Sequence, residues 1–167
     1  MNNATPSLTL YTPDQRARRD SSRWTLVQGI LAPLQFLAFL ISLFLVLRYL
    51  TFGVGAEVAT VSVVVKTMLL YAIMFTGSLW EKDVFDRYLF AGPFFYEDLV
   101  SMLVLALHTA YLAAVFFGFL SVTGQMYLAM AAYAAYIINA AQFLWKFRLA
   151  RQAPPAAGQT VMAGDML

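Results

Sequence analysis

The sequence contains no cysteine and a single histidine, His108. The first absence excludes disulfides, thiolate metal sites, iron–sulfur clusters and cysteine nucleophiles together. The second excludes a bis-histidine haem held within one chain. Charge is scarce too: Asp, Glu, Lys and Arg make up 12% of the 167 residues, where a soluble domain carries about a quarter. Gly-rich phosphate loops, serine nucleophile elbows and paired-histidine zinc motifs are missing. The net charge of +2 argues against a nucleic-acid partner. The first twenty residues are polar and lack an apolar core with a cleavage site, so no signal peptide is expected.

What is abundant is oil. Hydrophobic residues reach 61% and the mean hydropathy is +0.69, which points to a bilayer as the solvent. Four apolar runs stand out, near Trp24–Leu47, Val58–Trp80, Leu99–Leu120 and Tyr127–Trp145. A helix of about 20 residues crosses the hydrocarbon layer, and helices satisfy their own backbone there. The expected fold is an all-α integral membrane protein with four transmembrane helices and both termini cytoplasmic. Its parts are a polar basic N-terminal tail over 1–23, a transmembrane domain over 24–150 and a disordered Pro-, Ala- and Gly-rich tail over 151–167. The helices are expected near 24–47, 58–80, 97–120 and 126–146.

The orientation rests on basic residues. Arg16, Arg18, Arg19, Arg23, Lys82, Arg87, Lys146, Arg148 and Arg151 share one side, whereas the other has only Arg48. Trp24, Trp80 and Trp145 fall at the same boundary, where indole rings prefer to sit.

Polar residues inside the spans are costly and therefore informative. Gln28 and Gln35 lie seven apart on one face of the first span, with Pro33 between them, and read as interhelical glue or as ligands for a bound group. Lys66 either snorkels to the outer surface, pairs with a carboxylate or holds a ligand's carboxylate or carbonyl. His108 shares a face with Glu97 and Ser101; it reads as a structural histidine, a proton shuttle or an axial ligand to a metal in a bound tetrapyrrole. Tyr133, Tyr136, Asn139 and Gln142 sit on an alanine-rich background, suited to close packing or to orienting a substrate or water.

The densest chemistry lies between the second and third runs, in Trp80–Asp98 (WEKDVFDRYLFAGPFFYED), which holds five of the nine acidic residues. Glu97 and Asp98 follow Pro93 and suit the first turn of a helix, where the dipole favours carboxylates. Glu81 at the end of one helix and Glu97 at the start of the next are expected to approach each other. Two carboxyl groups at an apolar interface separate their proton affinities, so one serves as an acid. Phe85, Tyr88, Phe90, Phe94, Phe95 and Tyr96 offer a flat, greasy platform for a large planar amphiphile.

Several strings carry a resemblance: YTPDQRARRDSSRWTLVQGILAPLQF, WEKDVFDRYLFAGPFF, YEDLVSMLVLALHTAYL and YIINAAQF. Over roughly residues 11–150 the chain resembles the 3-vinyl bacteriochlorophyllide hydratase (chlorophyllide a hydratase) family of bacteriochlorophyll biosynthesis. The resemblance implies a hydro-lyase that adds water to the ring vinyl group of chlorophyllide a or 3-vinyl bacteriochlorophyllide a, giving a 1-hydroxyethyl product. It implies no cofactor, the magnesium belonging to the substrate. Matched to that chemistry, Glu97 or Asp98 donates the proton, Glu81 orients water and stabilises the cation, and His108 is a magnesium ligand or proton relay. Gln28, Gln35, Tyr88, Phe94, Phe95, Tyr111, Asn139 and Arg87 are the expected substrate-binding residues. Expected partners are the chlorophyllide or bacteriochlorophyllide, the lipid bilayer, and neighbouring pathway enzymes or further copies of the chain, with no nucleic acid. The expected place is the bacterial inner, intracytoplasmic photosynthetic membrane, with the active site toward the cytoplasm. The competing readings are a non-enzymatic pigment-binding or assembly protein, and a small transporter using Lys66 and His108.

Overall fold

A computed structural model describes residues 10–152. Helix α1 covers Pro13–Ser21, α2 Arg23–Phe52, α3 Ala56–Phe85, α4 Phe95–Phe117 and α5 Val122–Gln152, with a 3-10 turn at Gly92–Phe94 before α4. Helices α2 to α5 are each long and apolar enough to cross a membrane. Their outward faces carry large exposed apolar side chains along the whole length, among them Phe36, Leu40, Phe44, Val65, Phe75, Leu103 and Leu144. Such surface belongs against lipid tails rather than water.

Neighbouring helices run antiparallel, as their cross-links show. Gln28 Nε2 donates to Thr76 Oγ1 at 2.7 Å, and Ser42 and Ser62 share a hydrogen bond of 2.7 Å, so α2 and α3 run in opposite directions. Lys66 reaches His108 across α3 and α4, and Ser101 reaches Asn139 across α4 and α5. The four spans therefore place the α2 start, the α3–α4 turn and the end of α5 at one basic end of the bundle. The opposite end has two short links, where Gly53 and Gly118 close α2 and α4 with φ of 70° and 66°. Glycine carries no Cβ to clash in that left-handed conformation.

The spans are longer than their apolar runs. Helix α3 continues through Glu81 to Phe85, five residues past Trp80, because hydropathy marks the hydrocarbon layer whereas a cap ends a helix. Asp86 supplies that cap with φ of 63°, and its amide donates to Lys82 O at 3.0 Å. Residues 151–152 continue α5; the expected tail over 153–167 lies outside the described residues.

The basic N-terminal stretch is also more ordered than a polar tail. Thr12 and Gln15 form a reciprocal capping box around Pro13, and α1 follows. Tyr11 is buried against Phe85 and Phe94, with ring centroids 5.8 and 6.5 Å away. Ser22 Oγ donates to Asp83 Oδ2 at 2.8 Å, fixing the α1–α2 junction on α3. Trp80 Nε1 donates to Thr25 Oγ1 at 2.9 Å, so one of the expected boundary indoles ties α3 to α2.

Candidate active site

The α3–α4 turn is short, and two of its backbone amides point inward. Phe90 N–H donates to Asp98 Oδ2 at 2.7 Å, and Ala91 N–H donates to Glu81 Oε2 at 3.1 Å. Phe90 achieves this at a φ of 58°, an outlier for a bulky side chain that costs of order 1–3 kcal/mol. Such strain persists only where the surroundings hold it, and it clusters at functional sites.

Glu81 and Asp98 are 5% and 3% exposed, and their carboxyl groups are close enough to act on each other. Two carboxylate charges about 4 Å apart repel by about 4 kcal/mol at an effective dielectric of 20. A hydrogen bond between two carboxyl groups requires a proton on one of them. Burial and this repulsion together favour one proton between the two groups over two charges.

Glu97, one residue earlier, faces elsewhere. Successive residues on a helix point about 100° apart, and Glu97 turns to α5, where Lys146 Nζ donates to its Oε2 at 2.5 Å. The same ammonium donates to the Pro93 carbonyl and lies 5.1 Å from the centre of the Phe94 ring. Asn139 Nδ2 donates to Glu97 O at 2.9 Å, and Ser101 Oγ donates to Asn139 Oδ1 at 3.2 Å. Glu81 thus meets Asp98 rather than Glu97. Lys146 enters the site from a position that the sequence marks only as a flanking basic residue.

The aromatic platform divides in two. Phe94 is buried among Tyr11, Trp80, Phe85, Phe143 and Phe147, with centroids between 5.6 and 6.5 Å. It is a wedge inside the protein. Tyr88, Phe95 and Tyr96 remain outside, Tyr96 at 72% exposure, and Phe90 packs on Phe95 at 5.7 Å. Arg87 is exposed beside them. Lys82 and Asp86 form an exposed pair of 2.5 Å, which holds the Asp86 carboxyl below its usual range. A separate cavity of about 660 Å³ opens at the α1–α2 junction, between Arg18, Ser22, Arg23, Trp24, Val27 and Asp83.

Deeper in the bundle the polar residues satisfy one another. Lys66 is 0% exposed; it does not snorkel, but binds His108 Nε2 at 2.8 Å and lies 4.1 Å over the Tyr136 ring. His108 Nδ1 pairs with Val104 O at 2.8 Å, so both ring nitrogens are engaged inside the protein. Ten residues of helix separate His108 from Asp98, roughly 15 Å. Tyr133 shares a 2.6 Å hydrogen bond with Ser42, whereas Tyr111, buried in the same layer, has no partner for its hydroxyl. Gln28 bonds to Thr76 and the Ile73 carbonyl, as glue between α2 and α3. Gln35 differs: it is 2% exposed and neither end of its amide has a partner.

The structure thus brings Glu81, Asp98, Tyr88 and Phe95 to one rim. Glu97 and Asn139 stand at its side, and His108, Tyr111 and Gln35 lie in deeper layers. Lys146 and Tyr11 are the contributors that sequence reasoning passed over. The T-P-D-Q capping pattern at Thr12–Gln15 signals the second of these; the first has no local signal, since its partners lie 49 and 53 residues away.

No solved structure matches the chain. A protein of Cereibacter sphaeroides named 2-vinyl bacteriochlorophyllide hydratase is 63% identical over 149 residues, covering 89% of this chain and 92% of that protein. One of the same name from Rhodobacter capsulatus is 60% identical over 155 residues, covering 92% and 90%. A family model described as 2-vinyl bacteriochlorophyllide hydratase matches residues 11–149. That stretch begins at the Tyr11 that docks on the aromatic wedge and ends beyond Lys146: the chain belongs to the 2-vinyl bacteriochlorophyllide hydratase family.

Proposed function

We propose that the protein hydrates the ring vinyl group of a bacteriochlorophyllide or of chlorophyllide a, as a step of bacteriochlorophyll biosynthesis. Positions 2 and 3 in the names above are two numberings of one ring carbon. The buried Glu81–Asp98 carboxyl pair, gripped by two amides of a strained turn, is the observation that carries this reading. Adding water to an alkene begins with a proton delivered to the terminal carbon. Positive charge then develops on the carbon attached to the macrocycle, which delocalises it. The site must supply an acid, a neighbouring anion and a place for water.

The pair supplies the first two. Asp98 accepts the shorter amide bond and lies in the first turn of α4, where a helix dipole favours a carboxylate. Glu81 therefore carries the proton and gives it to the vinyl terminus. Once deprotonated, it accepts a proton from the attacking water as the new C–O bond forms, and the pair returns to its starting state. This exchanges the roles expected for Glu81 and Asp98 and leaves Glu97 as an ion-paired neighbour.

The macrocycle, with its own magnesium, lies on the exposed rings of Tyr88, Phe95 and Tyr96, with Arg87 beside its carboxylate. Gln35 offers an unpartnered amide on the deeper side, whereas the Asn139 amide is held by Glu97 O and Ser101. His108 stays outside the reaction, its nitrogens already occupied. The basic end, with nine of the eleven Lys and Arg residues, faces the cytoplasm of a photosynthetic bacterial membrane.

The test uses purified protein in detergent with chlorophyllide a, following the blue shift as the vinyl leaves conjugation. Glu81→Gln lowers kcat by about 10²–10⁴-fold, the usual worth of a general acid. Retention of more than a tenth of wild-type kcat by both Glu81→Gln and Asp98→Asn overturns the assignment.

A further inference from the structure

We infer that Lys146 is a positioning residue for the acid pair, holding the turn whose Phe90 and Ala91 amides grip Asp98 and Glu81. The inference rests on the carboxyl-pair reading above and deepens it. Lys146 stands on α5, near its end, and touches no part of that pair directly. What it touches is the frame around it: the Pro93 carbonyl, the Glu97 carboxylate and the face of Phe94.

The frame is mechanically continuous. Phe94 N–H donates to Ala91 O at 2.8 Å, closing the 3-10 turn, so Ala91 and Pro93 cannot move independently. Ala91 in turn donates to Glu81, and Phe90, at its positive φ, donates to Asp98. Proline has no N–H to share, so its carbonyl is the one backbone handle at that position, and Lys146 holds it. Releasing that handle leaves the positive φ of Phe90 supported by the Asp98 and Glu81 bonds and the 3-10 closure, without a tie to α5.

Charge gives Lys146 a second part in the same frame. Three buried carboxyl groups lie within the first turn of α4 and the last turn and a half of α3, Glu81, Asp98 and Glu97, while the exposed Asp83 turns to Ser22. One shared proton and one ammonium leave a single net negative charge there. The ammonium is spent on Glu97, so the charge that remains sits on the pair, where a developing carbocation would meet it. An ammonium with three donors suits this double grip on a carboxylate and a carbonyl.

The test compares full-length wild type, Lys146→Met, Lys146→Arg and Glu97→Gln in detergent, with hydration rates and amide hydrogen exchange measured on the folded fraction. Lys146→Met lowers kcat at least ten-fold with KM within three-fold of wild type. In the same variant, the peptide spanning 87–94 exchanges at least ten-fold faster, while α2 and α3 peptides keep their rates. Lys146→Arg, which retains a cation with several donors, recovers kcat to within three-fold. Glu97→Gln, which leaves the Pro93 contact in place, falls between the two. Where Lys146→Met gives too little folded protein, Lys146→Gln takes its place with the same expected split.

A kcat within two-fold of wild type overturns the inference. So does exchange that accelerates uniformly through α4 and α5, the mark of a residue that only stabilises the bundle. Failure of the underlying reading looks different: Glu81→Gln and Asp98→Asn then keep their activity, whatever Lys146→Met does.

Discussion

Two buried polar centres occupy this bundle, and they differ in every respect that matters for chemistry. The deep one joins Lys66 to His108 above the ring of Tyr136, with Ser42 and Tyr133 bonded in the same layer. The shallow one joins Glu81 to Asp98 at the basic end and is bound by Phe90 and Ala91 amides. The deep centre is built from side chains on rigid helices and every polar hydrogen-bonding atom of His108 is used. The shallow centre is built on a strained turn beside exposed aromatic rings. Burial of an ionisable group inside a membrane is a common pointer to function. Here the more deeply buried pair has its groups satisfied inside the bundle, and what marks the pair proposed to react is the open, aromatic edge next to it.

The comparison breaks or sharpens at several positions. Glu81→Gln removes the acid and has the largest effect on kcat, about 10²–10⁴-fold. Because the two carboxyl groups act as a unit, the Glu81→Gln/Asp98→Asn double variant is hardly slower than Glu81→Gln alone; strict multiplication of the two losses in steady-state rates would argue against a shared proton. Lys146→Met follows, at ten-fold or more and in kcat rather than KM.

The deep centre answers in stability. His108→Phe leaves Lys66 buried without its hydrogen-bond partner, which costs about 1–3 kcal/mol. Thermal unfolding in detergent shows the loss, and kcat per folded molecule stays within three-fold of wild type. A large fall in that kcat would bring His108 back into the reaction. Gln35→Leu tests the layer between the centres. Its amide is buried without partners, so an apolar replacement of similar size raises the unfolding temperature of the substrate-free protein, and KM for the pigment rises if the amide holds a ring carbonyl.

The smallest effect belongs to Asp86→Asn. The Lys82–Asp86 pair is open to solvent and screened by salt, so the unfolding temperature at neutral pH does not change measurably. The sign is nonetheless defined. Lys82 lowers the folded-state pKa of Asp86, so what little the pair contributes is present at neutral pH and fades as acid protonates the carboxylate. A stability difference between wild type and Asp86→Asn that grows toward acid pH would contradict it.

Much of this architecture is legible in the sequence, for reasons that differ by feature. The four spans follow from hydropathy, because the hydrocarbon layer imposes a length on any helix that crosses it. The turn with its carboxyl groups is legible because charge is rare elsewhere. Which carboxyl groups meet is another matter. Glu97 and Asp98 are adjacent in sequence and differ only in azimuth, which the packing of α4 against α3 and α5 decides. The same holds for Lys66 and His108, whose bond depends on the register of two helices 42 residues apart. Phe94 reads as one ring among several in an aromatic run, yet the 3-10 turn swings it inward while Phe95 stays out. Lys146 makes its contacts with Pro93 and Glu97, 53 and 49 residues away, which no local pattern announces.

The seat of Tyr11 has a consequence for how the protein is made. Tyr11 leaves the ribosome ahead of every helix, but the surface that receives it is formed by Phe85 and Phe94, with Trp80 and Phe143 packed behind. Those rings arrive from three later spans. The seat of Tyr11 therefore cannot be complete before the spans that carry Phe85, Phe94 and Phe143 have come together.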